Sequence, residues 1–333
     1  VRDDERAMLR SSLRRLLAET DAAKVPTALD EFGWNDLLAN DPSEAVPALF
    51  EAQGEALVAS PMLNVVMAAP LLAAAGEPAG EWAVLLPGPG RNGRPGAVSC
   101  AGGLDLAGYG LAAGGPVGRV LVIAGADDGA LVLARVDGRG EGRAVVHPLD
   151  GADPWLGLVR LEGRVPAGSA SVDGLAPEGV VAAWEASVAA GRRALAHELI
   201  GLSRAMLGQA VEHAGTRHQF GRPIGSFQAV KHRLADAKVA LSAAEAAADE
   251  AWVAPGPLTA LLAKLWAGRA ARAAGKQAQQ VLGGMGFTWE HPFHRHFRRA
   301  LVLDSLLGSA TEMQSELGRS LLATGEVPRL ATL

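Results

Sequence analysis

The chain has 333 residues, of which 49% are hydrophobic but only 5% aromatic, and a formal net charge of −5. Apolar mass that is mostly Ala, Leu and Val favours close helix packing over a β-sandwich, and the mild acidic balance gives no electrostatic case for nucleic acid. The single cysteine, Cys100, excludes an intramolecular disulfide, and no Cys/His spacing suggests structural zinc.

Residues 1–78 read as an N-terminal helical domain. Its first residues, Val1-Arg-Asp-Asp-Glu-Arg6, are charged and lack the apolar core of a signal peptide. Met8, Leu9, Leu13, Leu16 and Leu17 fall on one face at helical spacing. A second helix is predicted over 28–38, with Ser43 and Pro61 near the starts of the next two. The longest largely apolar run, 62–75, is too short to span a bilayer and is interrupted by Asn64 and Pro70. Pro70 is expected to bend or end its helix. These features predict a cytoplasmic protein without a membrane segment.

Residues 79–174 change character and predict a reduced β domain. Turn clusters at 87–96 and 137–142 separate short apolar runs, and 117–124 and 130–136 are rich in β-branched residues. Asp127-Asp-Gly129 between those two runs suits a hairpin turn, so a small antiparallel sheet or barrel is predicted. The glycine-rich 87–96 stretch has no Lys-Ser/Thr ending and is not a P-loop.

From 175 to 333 the chain is helical again and Ala-rich. Leu195, Leu199, Leu202 and Met206 form one apolar stripe. Further helices are predicted over 226–253, 257–282 and 292–323, the second opened by Pro257 and closed by Gly283-Gly284. Four long helices with short connections predict an antiparallel bundle. His291, His294 and His296 do not line one helical face, which favours an exposed loop and helix start over a metal site. Arg295, Arg298 and Arg299 read as a solvated or intersubunit basic turn.

Two strings carry chemistry. Arg217-His-Gln-Phe-Gly-Arg-Pro-Ile-Gly-Ser-Phe-Gln228 puts a guanidinium at a helix end, just before a Gly/Pro turn. By itself Arg217 would be a cation relieving unpaired helix carbonyls; the alternative is a bidentate phosphate ligand. Downstream, Gln280-Val-Leu-Gly-Gly-Met-Gly-Phe287 ends a helix with glycines whose missing Cβ admits a flat ligand.

Together the two strings resemble those of the acyl-CoA dehydrogenase family, flavoenzymes that remove two hydrogens from the α and β carbons of acyl-CoA thioesters. The resemblance implies a mainly α fold with a small central β domain and a C-terminal four-helix bundle. It also implies that Arg217, Gln219, Phe220 and Gln228 reach the pyrophosphate of an FAD held by the adjacent subunit. Gln280, Gly283 and Gly284 would reach its adenosine half.

Against this pattern, the family's catalytic carboxylate is missing. Counting from Arg298 places the usual glutamate at Leu307, followed by Gly308-Ser309, and the alternative family position is Gly191, before Arg192. Glu185 and Glu198 lie six and seven residues from Gly191, too far along a helix to substitute without a register change. Asp304 and Glu312, nearer Leu307, are read as solvent-exposed. Nor does the β region hold the strings with which the family grips its own flavin, and Trp82 and Trp155 lack the context.

Retained contacts to a neighbour's FAD without a chain's own base resemble the non-catalytic subunit of heteromeric (α2β2) acyl-CoA dehydrogenases of actinobacterial steroid side-chain degradation. The implied partners are a catalytic homologue, its acyl-CoA substrate and an electron-transfer flavoprotein or similar acceptor. Two alternatives stay open: a self-sufficient homotetramer with a displaced base, acting on acyl-CoA or an acyl-carrier-protein thioester, and a structural or regulatory relic without flavin.

Overall fold

The computed structural model describes residues 3–88, 97–100, 103–112, 118–126, 130–137, 145–149 and 151–325. The predicted hairpin turn at 127–129 and most of the 87–96 and 137–142 clusters lie outside the described residues. Five helices come first: α1 (Asp3–Glu19), α2 (Val25–Glu31), α3 (Trp34–Asn40), α4 (Pro42–Ala56) and α5 (Met62–Ala75). Leu13 and Leu17 of α1 are fully buried, but Met8 is exposed, because α1 packs on α4 along a narrower stripe than its apolar positions predict. The helix predicted over 28–38 is two, broken at Gly33. Pro70 does not end α5, which runs on to Ala75 while burying Met67, Leu71 and Leu72. Tertiary packing there outweighs one missing backbone hydrogen bond.

The middle region is a curled sheet of β1 (Ala83–Val84), β2 (Ala97–Cys100), β3 (Gly103–Leu111), β4 (Arg119–Gly125), β5 (Leu131–Asp137), β6 (Val145–Pro148), β7 (Leu158–Pro166) and β8 (Ala170–Val172). The order is β6-β7-β3-β2-β4-β5-β8, with β1 beside β4. Pairing is antiparallel as predicted, except that β1 and β2 both run parallel to β4. The exception arises because β4 follows β3 in sequence but pairs with β2. Strand β4 is buried on both faces: Val120, Val122 and Ala124 join the sheet's own core, while Leu121 and Ile123 point into the helical core.

The remainder is α6 (Pro177–Thr216), a small hairpin β9 (His218–Gln219) and β10 (Arg222–Pro223), then α7 (Gln228–Val253), α8 (Pro257–Leu282), α9 (Phe293–Ser305) and α10 (Ala310–Thr324). The Leu195, Leu199, Leu202 and Met206 stripe of α6 is fully buried. The helix predicted over 292–323 is instead α9 and α10, separated by a turn in which Leu307 has φ 55° and Gly308 φ 99°. Ser309 and Glu312 form a capping box that restarts the helix. Among the described residues no helix is long and apolar enough to cross a membrane.

Helices α4 and α6 cross at a reciprocal glycine contact. A Cβ on Gly54 would strike the Glu198 carbonyl, and one on Gly201 would strike that of Glu51. Beside this crossing, Glu51 accepts from Arg10 at 2.8 Å, faces His197 Nδ1 at 3.1 Å and pairs with Arg204. Trp252 Nε1 donates to His197 Nε2 at 3.0 Å, so the ring proton sits on Nδ1, facing Glu51. Burial alone would raise the Glu51 pKa, but the hydrogen bond from His197 and the charge of Arg204 outweigh it and hold the carboxylate at about 2, against an ordinary 4.5. A depressed carboxylate stabilises the fold above pH 4.5 and loses that contribution as pH falls toward 2. Glu51→Gln is therefore expected to cost up to about 3 kcal/mol at pH 7 and progressively less below pH 4. Thermal melts across that range check this, and a pH-independent cost would exclude the ionic contribution.

Candidate cofactor-binding site

Arg217 continues the α6 geometry by donating its N–H to the His213 carbonyl at 2.8 Å, after which the chain turns back. In the β9–β10 hairpin, Gln219 pairs with Arg222 across a corner formed by Phe220 (φ 52°) and Gly221 (φ 78°). Two successive positive φ values are what a tight hairpin needs. The Ile224 N–H returns to the Arg217 carbonyl at 2.8 Å, and Arg222 lies over the Phe227 ring at 4.3 Å. This folding leaves Phe220 92% exposed and Arg217, Gln219 and Gln228 on the surface. Among the described residues, no side chain pairs with the Arg217 guanidinium. The N-terminus of α7 has no side-chain cap; the Val230 and Lys231 amides return to the Phe227 carbonyl, and those of Gln228 and Ala229, without a partner among the described residues, are available to an anion.

At the end of α8, Gln280 is exposed and Gly283 adopts φ 59°, a conformation that favours glycine. A Cβ on Gly283 or Gly284 would meet nothing within 4 Å, so the backbone there presents an open platform. Arg233 of α7 donates to Gln277 of α8 at 3.0 Å, which fixes the antiparallel register. Gln228 and Gln280 consequently lie at the same end of the bundle, and all seven residues read from the two strings gather there. An unpaired guanidinium, an uncapped helix start and an open glycine platform fit the pyrophosphate and adenosine half of a dinucleotide such as FAD.

The two base positions lie elsewhere. Gly191 is 25 residues before the end of α6, roughly 37 Å along the helix axis. Leu307 is 1% exposed and packs directly on Gly191, where an added Cβ would be 2.6 Å from Leu307 Cδ1 and 2.7 Å from Met67 Sδ. The two positions at which the resemblance places a base thus meet in one apolar contact, with Leu307 Cδ1 and Met67 Sδ against Gly191. The turn is held through its backbone: Arg192 Nε donates to the Leu307 carbonyl at 3.0 Å, and Lys264 Nζ donates to those of Asp304 and Gly308 at 2.9 and 2.7 Å. Burial lowers the Lys264 pKa to about 7.

Asp304 is not solvent-exposed, as its sequence context predicts, but 1% exposed. It accepts from Arg272 at 2.6 Å and from the Ala310 N–H at 3.1 Å, since the α9–α10 turn needs an acceptor there. Glu312 is half-buried by its capping role. The basic turn is not a solvated face either. Arg298 donates to the Gly151 carbonyl at 3.2 Å, Arg299 to Asp153 at 2.6 Å, and Arg295 lies 4.7 Å over the Trp155 ring. All three residues grip the segment entering β7, and Arg299 is 1% exposed. His296 is likewise buried, against the Glu55 carbonyl of α4 and the Pro292 carbonyl. Among the described residues, no cluster of His, Cys, Asp or Glu has metal-binding geometry.

Glu198 is a buried carboxylate whose role no sequence motif marks. Two helical turns beyond Gly191 on the same face of α6, it accepts no hydrogen bond from a described residue. Burial pushes its pKa up to about 7, with Arg299 opposing and Asp153 reinforcing the rise. A raised carboxylate destabilises the fold once pH exceeds its unfolded value, and most fully above its folded one. Glu198→Gln should stabilise the protein by up to about 3 kcal/mol at pH 8 and by little at pH 4.5. Equal effects at both pH values, read by thermal melting, would refute this.

Residues 178–322 match the family model described as acyl-CoA dehydrogenase, C-terminal domain. Acyl-CoA dehydrogenase IpdE2 of Mycobacterium tuberculosis is 32% identical over 312 residues, covering 92% of this chain and 85% of that protein. The fold superposes on the ChsE4-ChsE5 complex from Mycobacterium tuberculosis with a TM-score of 0.72 and 26% identity, covering 99% of each chain. It also superposes on the Tcur3481-Tcur3483 steroid ACAD, with a TM-score of 0.72, 23% identity and coverage of 97% and 98%. A relative at this identity over nearly the whole chain, sharing a fold of N-terminal helices, curled sheet and bundle, leads to one conclusion: the chain belongs to the acyl-CoA dehydrogenase family.

Proposed function

We propose that this chain is the base-lacking subunit of a heteromeric FAD-dependent acyl-CoA dehydrogenase, completing the flavin site of a catalytic homologue. Members of the family bind FAD. Bound there, FAD would supply a hydride acceptor for the β carbon of an acyl-CoA. In this reading Arg217, Gln219, Phe220 and Gln228 hold the pyrophosphate region, and Gln280, Gly283 and Gly284 the adenosine region.

One observation carries the proposal. The dinucleotide-fitting end of the bundle stands roughly 37 Å along α6 from Gly191 and Leu307. A single ligand held at that end therefore serves chemistry in another subunit, while this chain's own base position is sealed by a leucine. The similarity to the ChsE4-ChsE5 complex and to the two-component Tcur3481-Tcur3483 steroid ACAD supports an α2β2 assembly, and the second of these supports a steroid side-chain thioester as the partner's substrate. An electron-transfer flavoprotein or similar acceptor would reoxidise the flavin.

Co-expression with a catalytic homologue should yield a yellow complex holding one FAD per heterodimer, and the chain produced by itself should hold none. Stoichiometric flavin on the lone chain would refute the proposal. The rival, a self-sufficient enzyme with a displaced base, has Glu198 as its candidate, because that carboxylate shares a helix face with Gly191. Full turnover by a complex carrying Glu198→Gln would remove it.

A further inference from the structure

Arg217 and the imidazoles of His213 and His291 gather from two segments at the open end of α6, and among the described residues no acidic side chain pairs with them. His213 stands one helical turn before Arg217, so the two share a face of the helix end. His291 approaches from the segment before α9. Burial first, then the charges of Arg217 and His291, push the pKa of His213 below the ordinary imidazole value. The carboxylates adjacent in sequence, Glu212 and Glu290, are exposed and do not enter that balance. From the hairpin, His218 and Arg222 add potential positive charge, and His218 Nδ1 lies 3.0 Å from the Thr216 carbonyl. On α9, His294 Nδ1 is 2.7 Å from the His291 carbonyl.

The geometry of His291 is specific. Its Nδ1 accepts the Phe293 N–H at 3.2 Å, so the neutral ring carries its proton on Nε2, the nitrogen not engaged by the helix start. Like charges gathered without a counter-charge raise the free energy of the free protein, and an anion seated among them recovers it. The uncapped N-terminus of α7 adjoins the same end of α6: Ile224, two residues after Arg222, bonds back to the Arg217 carbonyl just before α7 begins.

We propose that His213 and His291 join Arg217 in holding the pyrophosphate of the shared FAD, so that flavin is retained more tightly at acid than at alkaline pH. The inference rests on the trans-flavin reading above. An anion stabilises the imidazolium form, so binding takes up protons and weakens as pH rises through the imidazole range. The pyrophosphate diester itself does not change charge there, which assigns the pH dependence to the protein.

The test is the Kd for FAD of the co-expressed complex from pH 5.5 to 8.5, for the wild-type chain, His213→Gln, His291→Asn and Arg217→Ala. Asparagine at 291 keeps a side-chain oxygen for the Phe293 N–H, which protects the start of α9. Wild-type affinity should fall by about tenfold across the range for each histidine whose pKa moves by one unit. Each histidine variant should bind more weakly than wild type at pH 5.5 and equally at pH 8.5, flattening the profile. Histidine variants with the wild-type profile, or with a deficit equal at every pH, overturn the inference while loss of flavin by Arg217→Ala leaves the trans-flavin reading standing. If Arg217→Ala also binds FAD like wild type, that reading falls as well.

Discussion

Replacing Arg217 with alanine is expected to weaken FAD retention by the heteromeric complex by tens-fold or more. Hydrogen bonds to charged groups contribute about 1.5–3 kcal/mol each, and a guanidinium can make two to one phosphate. Arg217 is positioned for this: it is exposed, unpaired among the described residues and set at the end of a rigid 40-residue helix. Its loss leaves the fold intact, because the backbone hydrogen bonds to His213 and from Ile224 do not involve the side chain. The measurement is flavin absorbance per heterodimer after gel filtration, with Arg160→Ala as a surface control, since Arg160 lies on the sheet beside Glu162. Equal retention by both variants would make Arg217 a helix-end cation and nothing more.

The second large effect is expected from Leu307→Glu. Were the base the one missing element, a glutamate at 307 would restore dehydrogenation. We expect no enoyl-CoA formation, by the variant chain alone or in complex with a base-deleted partner. A base accelerates the reaction when the substrate α carbon and the flavin are held on either side of the bond to be oxidised. The dinucleotide-fitting residues of this chain stand far from Leu307, and Leu307 itself fills the space against Gly191 and Met67. The variant should also lose several kcal/mol of stability, because an unpaired carboxylate in that apolar contact either pays desolvation or takes up a proton. With its pKa raised by burial, the introduced carboxyl should destabilise more at pH 8 than at pH 5. Thermal melts at the two pH values and a panel of acyl-CoA substrates test both halves. Turnover in either arrangement would reveal a second active site in this subunit.

The Leu307 turn has a further energetic feature. A branched aliphatic residue at φ 55° costs about 1–3 kcal/mol, yet Arg192, Lys264 and Asp304 secure that turn with six hydrogen bonds to or from its flanks and Arg272. The turn thus keeps a buried polar scaffold around an alkyl side chain.

Local patterns in the sequence were enough for the helical content, the stripe of α6, the limits of α8 and the existence of a β region between two helical ones. Periodicity and turn residues act within a few residues of one another, so a reader of the sequence can see them. The strings around Arg217 and Gln280 were equally legible, because glycine and proline fix the backbone locally. Tertiary structure alone decided the rest. It split the predicted final helix at Leu307, since Lys264 and Arg192 reward an open turn with long-range hydrogen bonds that no local pattern announces. It buried Asp304 and Arg299 against partners 32 and 146 residues away, which reversed the solvent exposure their charge predicts. It also placed Gly191 against Leu307 and set both a helix length away from Arg217. Those separations depend on how α6, α8 and α9 pack, and packing is a property of side-chain shapes meeting across the whole chain rather than of any one segment.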